Sequence, residues 1–172
     1  MPVCTLVWPK MTGRIKFIAD ENVGKLARWL RLLGFDTIFF HGEDDNTMIN
    51  IAIAENRIIV TRDTRIMERK MISGGRVKAI LLKTDKVDEQ EKIAITEFDL
   101  ESQSQPFTIC LECNQCLIDV NRDEVRDRVP PYIWQTQTQF MECPECRRIY
   151  WRGSHWAAMS KHLTQRNIIK QK

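Results

Sequence analysis

The 172-residue sequence predicts an α/β fold: a parallel sheet layered between helices, followed by a small domain folded around a metal ion. Two observations predict it. Over the first hundred residues, short apolar runs alternate four times with helically periodic stretches, an order that a parallel sheet with crossover helices satisfies. Beyond residue 109 the spacing changes character, with two Cys-x-x-Cys pairs separated by 29 residues. The boundaries that follow are 13–104 for the α/β domain and 105–160 for the metal-stapled one.

Ile15 to Ala19 reads as a buried strand. A helix follows from Glu21 to Leu33, with Leu26, Trp29, Leu30 and Leu33 on one face and Gly34 closing it. Phe35 to Phe40 is the second strand, and Asp45 caps a helix running to about Glu55 with Met48, Ile51 and Ala52 inward. Arg57 to Thr61 is a third strand and Thr64 to Met71 a short helix. Val77 to Lys83 gives a fourth strand, and Asp88 to about Leu100 the last helix.

In the second domain, Cys110-x-x-Cys113 and Cys143-x-x-Cys146 each place two sulfurs on a tight turn. Two such turns complete the four-thiolate shell of a structural zinc site. A disulfide framework competes, but Met1 to Thr12 has no secretory signal pattern, and thiols of cytosolic proteins stay reduced. Cys113-x-x-Cys116 offers the same spacing. The stretch Phe107-Thr108-Ile109, read as extended, favours Cys110 as the start of the first knuckle, leaving Cys116 and Leu117 for the core. Cys4 reads as a bystander in a frayed leader, and His155 as a neighbour of the site rather than a ligand. Between the knuckles, Ile133 to Met141 reads as extended from its Thr, Gln and Phe content. Together these features describe a zinc ribbon, too small to fold without its metal.

Composition narrows the functional classes. With 43% hydrophobic and 28% charged residues the chain is an ordinary globular protein, and no run approaches the roughly 18 apolar residues of a membrane span. The expected location is cytoplasmic. The formal charge of +3 is too small to announce a nucleic-acid binder, but residues 143–172 carry seven Lys/Arg against the single acid Glu145. Within that stretch Arg147, Arg148, Tyr150, Trp151, Arg152 and Trp156 interleave rings with guanidinium groups. Rings stack on bases and arginines hold phosphates, so this pattern suits single-stranded nucleic acid. It equally suits a ring cluster that covers the ribbon.

Three aspartates fall where a parallel sheet places its ligands, outside the carboxyl ends of its strands. Asp20 follows the first strand, Asp45 lies after the second, and Asp63 follows the third. Converging carboxylates need a cation, and oxygen-only donors suit Mg²⁺ or Mn²⁺, the ions of phosphodiester hydrolysis. Each aspartate also precedes a predicted helix, where Asp is a favoured cap. Arg62 and Arg65, beside Asp63, are candidate phosphate contacts or simply a solvated basic face.

The segments Phe17-Ile18-Ala19-Asp20-Glu21, Gly24-Lys25-Leu26-Ala27-Arg28-Trp29-Leu30-Arg31-Leu32-Leu33-Gly34-Phe35-Asp36-Thr37 and Arg57-Ile58-Ile59-Val60-Thr61-Arg62-Asp63 resemble the Mut7-C RNase family. The ribbon resembles it too, in Cys110-x-x-Cys113-Asn114, Cys143-x-x-Cys146 and Tyr150-Trp151-x-Gly153-Ser154-His155. That family pairs a PIN-like nuclease domain, a three-layer α/β/α sandwich, with a zinc ribbon. The resemblance implies a metal-dependent ribonuclease with RNA as partner, Asp20, Asp45 and Asp63 as Mg²⁺ or Mn²⁺ ligands, and Cys110 rather than Cys116 in the first knuckle. Asp44 could replace Asp45 by a shift of one residue, and Asp85 is the best candidate for a fourth acid. The ribbon would aid RNA binding through Arg147, Arg148, Trp151 and Arg152. The rival readings are a catalytically silent RNA-binding or ribosome-associated adapter and, more distantly, a phospho-acceptor receiver domain.

Overall fold

The computed structural model describes residues 14–42, 44–166 and 168, so Cys4 and its leader lie outside the described residues. The described chain forms two compact units, one ending at Asn114 and the other beginning at Gln115. The first unit contains β1 (Lys16–Ala19), a 3₁₀ turn (Glu21–Val23), α1 (Gly24–Leu32), β2 (Thr37–Phe39), α2 (Asp45–Glu55) and β3 (Arg57–Thr61). It continues with α3 (Thr64–Met67), α4 (Lys70–Ser73), β4 (Ala79–Leu81), α5 (Val87–Phe98) and α6 (Leu100–Gln103). All four strands are parallel, in the order β2-β1-β3-β4.

Alternation along β1 explains why helices cover both faces. Ile18 packs with Met48, Ile49 and Ala52 of α2, Ile66 of α3 and Ile72 of α4. Phe17, one residue earlier and so on the opposite face, meets the rings of Phe35 at 5.8 Å and of Phe98 in α5 at 5.4 Å. Both side chains are fully buried, and each such burial contributes about 1.5–3 kcal/mol. In α1, Leu26, Trp29, Leu30 and the following Leu33 are all buried, as their 3.6-residue period predicts. Gly34 then ends the helix in the left-handed region (φ +84°), with its N–H donating to Arg31 O and Phe35 N–H to Leu30 O. A Cβ there would stand 2.2 Å from the Gln105 carbonyl oxygen, so only glycine fits.

Several sequence expectations are corrected. The cap of α2 is Asp44, not Asp45. Asp44 has the extended backbone a cap requires (φ −112°, ψ 106°), and its carboxylate accepts from Asn46 N–H and Thr47 Oγ1, both at 3.0 Å. Asp45 is the first helical residue. The single helix expected over Thr64 to Met71 is two, broken where Arg69 takes an extended conformation. The expected last helix stops at Phe98 because Asp99 adopts a left-handed conformation (φ 47°) before α6. Phe107 is left-handed (φ 66°) rather than extended, because its N–H turns back to bond Leu32 O.

The second unit holds β5 (Ile118–Val120), a 3₁₀ turn (Arg122–Val125), α7 (Pro131–Thr136), β6 (Phe140–Glu142), β7 (Ile149–Trp151) and α8 (Ser154–Gln165). Its three strands form an antiparallel sheet in the order β5-β6-β7. Val125, Val129 and Phe140 form a core cluster, with Trp134, Ile149 and Trp151 packed against it. Residues 133–136, expected to be extended, are helical. Pro131 pre-sets the first turn of α7, and Trp134 locks it by donating Nε1–H to Arg122 O while its own carbonyl accepts from the Arg122 guanidinium. Helix α8 falls where the sequence reading assigned no element. No helix among the described residues is long and apolar enough to cross a membrane.

Candidate functional site

The strand order reverses direction between β1 and β3, because β2 lies on one side of β1 and β3–β4 on the other. Such a reversal opens a crevice outside the carboxyl ends of the two strands. Asp20 leaves β1 at that end, its N–H bonded to Val60 O of β3. Its Oδ1 accepts from Glu21 N–H, and its Oδ2 accepts from Asn22 Nδ2 and from the Thr61 hydroxyl, each at 2.7 Å.

Thr61 is fully buried and links both strand ends. Its hydroxyl donates to Asp20 and accepts from Asp63 N–H at 2.9 Å. A second link runs from Arg62 N–H to Asn22 Oδ1 at 3.0 Å. Neither Thr61 nor Asn22 was singled out from the sequence as a site residue; the only signal was the Thr61-x-Asp63 spacing at a strand end.

Asp63 caps α3 by accepting from Arg65 N–H at 2.8 Å, and Arg65 returns to the same carboxylate through Nε and Nη2, the latter at 2.8 Å. Hydrogen bonding from Arg65 holds the Asp63 carboxyl below the usual carboxylate range. Asp63 foremost, and Asp45 more weakly, raise the pKa of the Arg65 guanidinium. Asp63 and Asp45 therefore act on one cation, which is Arg65. Asp44 is also held below its ordinary value, by its bonds to Asn46 and Thr47.

Asp20 and Asp63 are thus joined through Thr61, and Asp45 and Asp63 through the charge on Arg65. Among the described residues, however, the three aspartates do not form a set whose oxygens all lie within 4.8 Å of one another. Asp20 and Asp63 also serve as helix caps. Beside Asp20 opens a cleft of about 740 Å³, a size typical of ligand sites, whose walls include Glu21, Asn22, Lys25, His41 and Asp85.

The cysteine knuckles are built alike. Asn114 N–H bonds Cys110 O at 3.1 Å, and Arg147 N–H bonds Cys143 O at 2.9 Å. Each turn closes on a left-handed residue, Asn114 and Arg147, both at φ 60°. The ligand atoms of Cys110, Cys113, Cys143 and Cys146 lie within 4.8 Å of one another, and these four are free thiols. Thiolates about 2.3 Å from a tetrahedral ion stand about 3.8 Å apart, so the set fits zinc after small side-chain movements. Cys116 is not in this set and is half-buried, whereas its neighbour Leu117 is buried.

The basic residues read as RNA contacts have varied surroundings. Arg62 is exposed, its N–H bonded to Asn22, and Arg65 is paired with Asp63. Arg147 pairs with Glu142 of β6 at 2.6 Å. Arg148 is exposed, and Arg152 stacks over Trp156 with its guanidinium carbon 5.2 Å from the ring centre. Trp151 is half-buried against the ribbon core, where its Nε1 would stand 2.7 Å from a Cβ at Gly153.

Comparison with curated proteins and with solved structures returns no match. The family model described as the Mut7-C RNAse domain matches residues 15–163. That span contains both strand-end aspartates and both cysteine knuckles, and the chain belongs to the Mut7-C RNAse domain family.

Proposed function

We propose that the protein is a metal-dependent ribonuclease whose reaction centre lies at the carboxyl ends of β1 and β3. The observation that carries this reading, within a ribonuclease-domain family, is the Thr61 bridge. It ties Asp20 to a hydroxyl 41 residues away that also holds the backbone N–H of Asp63, at the sheet's reversal point. Asp20, Asp63 and Asp45 would hold one or two Mg²⁺ or Mn²⁺ ions, with Asp85 in the adjoining cleft as a further acid. A divalent ion bound there supplies an activated water and neutralises charge on the phosphodiester.

The chain's own residues do the rest. Thr61 and Asn22 orient the Asp20 carboxylate by donating to Oδ2, while Oδ1 accepts only from Glu21 N–H and keeps a lone pair for a ligand. Arg65, whose side chain is 84% exposed, would be able to turn from Asp63 toward a substrate phosphate together with Arg62. Residues 13–104 would form the nuclease domain and 105–160 the zinc ribbon, with Arg148 and Arg152 steering RNA. Trp151 and Arg147 serve the ribbon's own packing in this reading.

The test compares wild type with Asp20→Asn in Mn²⁺, following ion binding by calorimetry and cleavage of a mixed pool of single-stranded and structured RNA. Wild type is expected to bind the ion and cut, and the folded variant to do neither. Equal ion binding with no cleavage by either protein would overturn the reading and leave an RNA-binding adapter.

A further inference from the structure

Arg31 is a buried cation in α1, only 7% exposed. Its guanidinium donates to three backbone carbonyls: Nε to Thr37 O at 2.9 Å, and Nη1 to Leu111 O at 2.9 Å and Glu112 O at 2.7 Å. No carboxylate among the described residues lies within ion-pair distance of it. A buried charge satisfied only by neutral carbonyls is costly unless an anion stands near. Glu112 and Asp36 act on its charge from beyond ion-pair distance.

Leu111 and Glu112 are the two residues between Cys110 and Cys113, so Arg31 grips the inside of the first knuckle. Two further ties fasten the same turn. Asn114, which closes the knuckle, accepts from Thr37 N–H at 2.8 Å and donates to Asp36 Oδ1 at 2.6 Å. Asp36 is itself held by the buried Arg57 through two bonds. Arg28, one turn before Arg31, pairs with Glu112 at 3.0 Å. The knuckle is thereby hydrogen-bonded to α1 and to the first residue of β2.

We propose that Arg31 is a positioning residue for the zinc thiolates, and that metal binding at the first knuckle fastens α1 and β2 of the α/β unit. Four cysteine thiolates around Zn²⁺ carry a net charge of −2. With metal bound, that charge would stand at the turn whose carbonyls Arg31 holds. Linkage makes the effect mutual: the guanidinium raises zinc affinity, and zinc steadies the turn that Arg31 and Asn114 hold. This inference does not depend on the nuclease reading.

The experiment measures zinc affinity of the full chain by competition with a chromophoric chelator. It also measures amide exchange at Thr37, whose N–H bonds Asn114, and at Ile59, whose N–H bonds Lys78 O inside the sheet. Arg31→Met is expected to lower zinc affinity by about 10- to 100-fold, as loss of an outer-sphere partner does. Asn114→Gly keeps the left-handed backbone while removing the side chain, and should act in the same direction. Removing zinc from wild type should accelerate exchange at Thr37 at least about ten-fold while Ile59 stays protected. Unchanged zinc affinity in both variants, or Thr37 exchange indifferent to zinc, would overturn the proposal. Should Arg31→Met fail to fold, Asn114→Gly and wild-type exchange still decide it.

Discussion

A single buried hydroxyl organises the carboxyl ends of β1 and β3. Thr61→Val keeps the shape of the side chain but removes the donor to Asp20 and the acceptor for Asp63 N–H. Leaving these groups unpaired should cost about 1–3 kcal/mol, measurable as a lower urea midpoint at unchanged slope. Arg65 acts in the opposite sense. Its guanidinium neutralises Asp63 from an exposed position, so on the proposed reading it competes with a divalent ion for the same oxygens. Arg65→Ala should tighten Mn²⁺ binding roughly two- to five-fold in calorimetry, the modest scale of an exposed ion pair, while weakening RNA cleavage. Looser Mn²⁺ binding in that variant would argue that Arg65 does not contest the ion.

Among the elements, β6 carries the ribbon's most consequential charge. Glu142 is buried, its carboxylate accepting from Arg128 at 2.8 Å and 3.1 Å and pairing with Arg147 at 2.6 Å. Hydrogen bonding from Arg128 foremost, with further help from the charge on Arg147, holds the Glu142 carboxyl below its ordinary value. Because the folded value is the depressed one, this stability is present above about pH 4.3, the unfolded value, and is lost as pH falls through the folded one. Glu142→Gln should cost about 1.5–3 kcal/mol at pH 7 and flatten the acid limb of a stability-against-pH profile. Arg147 also closes the second knuckle at φ 60°, so it joins the charge to the turn that presents Cys143 and Cys146. From the sequence, Arg147 belonged with Arg148 and Arg152 as an RNA contact, since nothing local connects it to a glutamate five residues earlier across a hairpin.

For the whole molecule the decisive ion would be the zinc that the four-cysteine set fits. Among the described residues, the buried hydrophobic side chains of the second unit are only Leu117, Val125, Val129, Phe140, Leu163 and Ile168 besides Cys143, with aromatics leaning on the Val125, Val129 and Phe140 cluster, too few to offset the chain entropy of an autonomous domain. Chelation should therefore melt β5–β7, seen as loss of near-ultraviolet signal from Trp134 and Trp151, while the parallel sheet retains its far-ultraviolet signal. Zinc, added back in stoichiometric amount, should restore the tryptophan signal.

What the sequence determined by itself was whatever depends on local period and spacing. The apolar runs placed all four parallel strands, the 3.6-residue period placed the buried face of α1, and two Cys-x-x-Cys turns named the four sulfurs that come together. Strand ends put Asp20 and Asp63 at the sheet's carboxyl edge, because a strand's end fixes where the next residue emerges. Tertiary structure decided which groups meet across the chain: Thr61 with Asp20, Arg31 with the carbonyls of Leu111 and Glu112, and Trp151 with Val125 and Phe140. It also chose Asp44 over Asp45 as a cap and turned 133–136 into helix. Those outcomes hinge on partners distant in sequence, or on backbone angles that neighbouring residues of equal propensity can exchange, and neither is written in a local pattern.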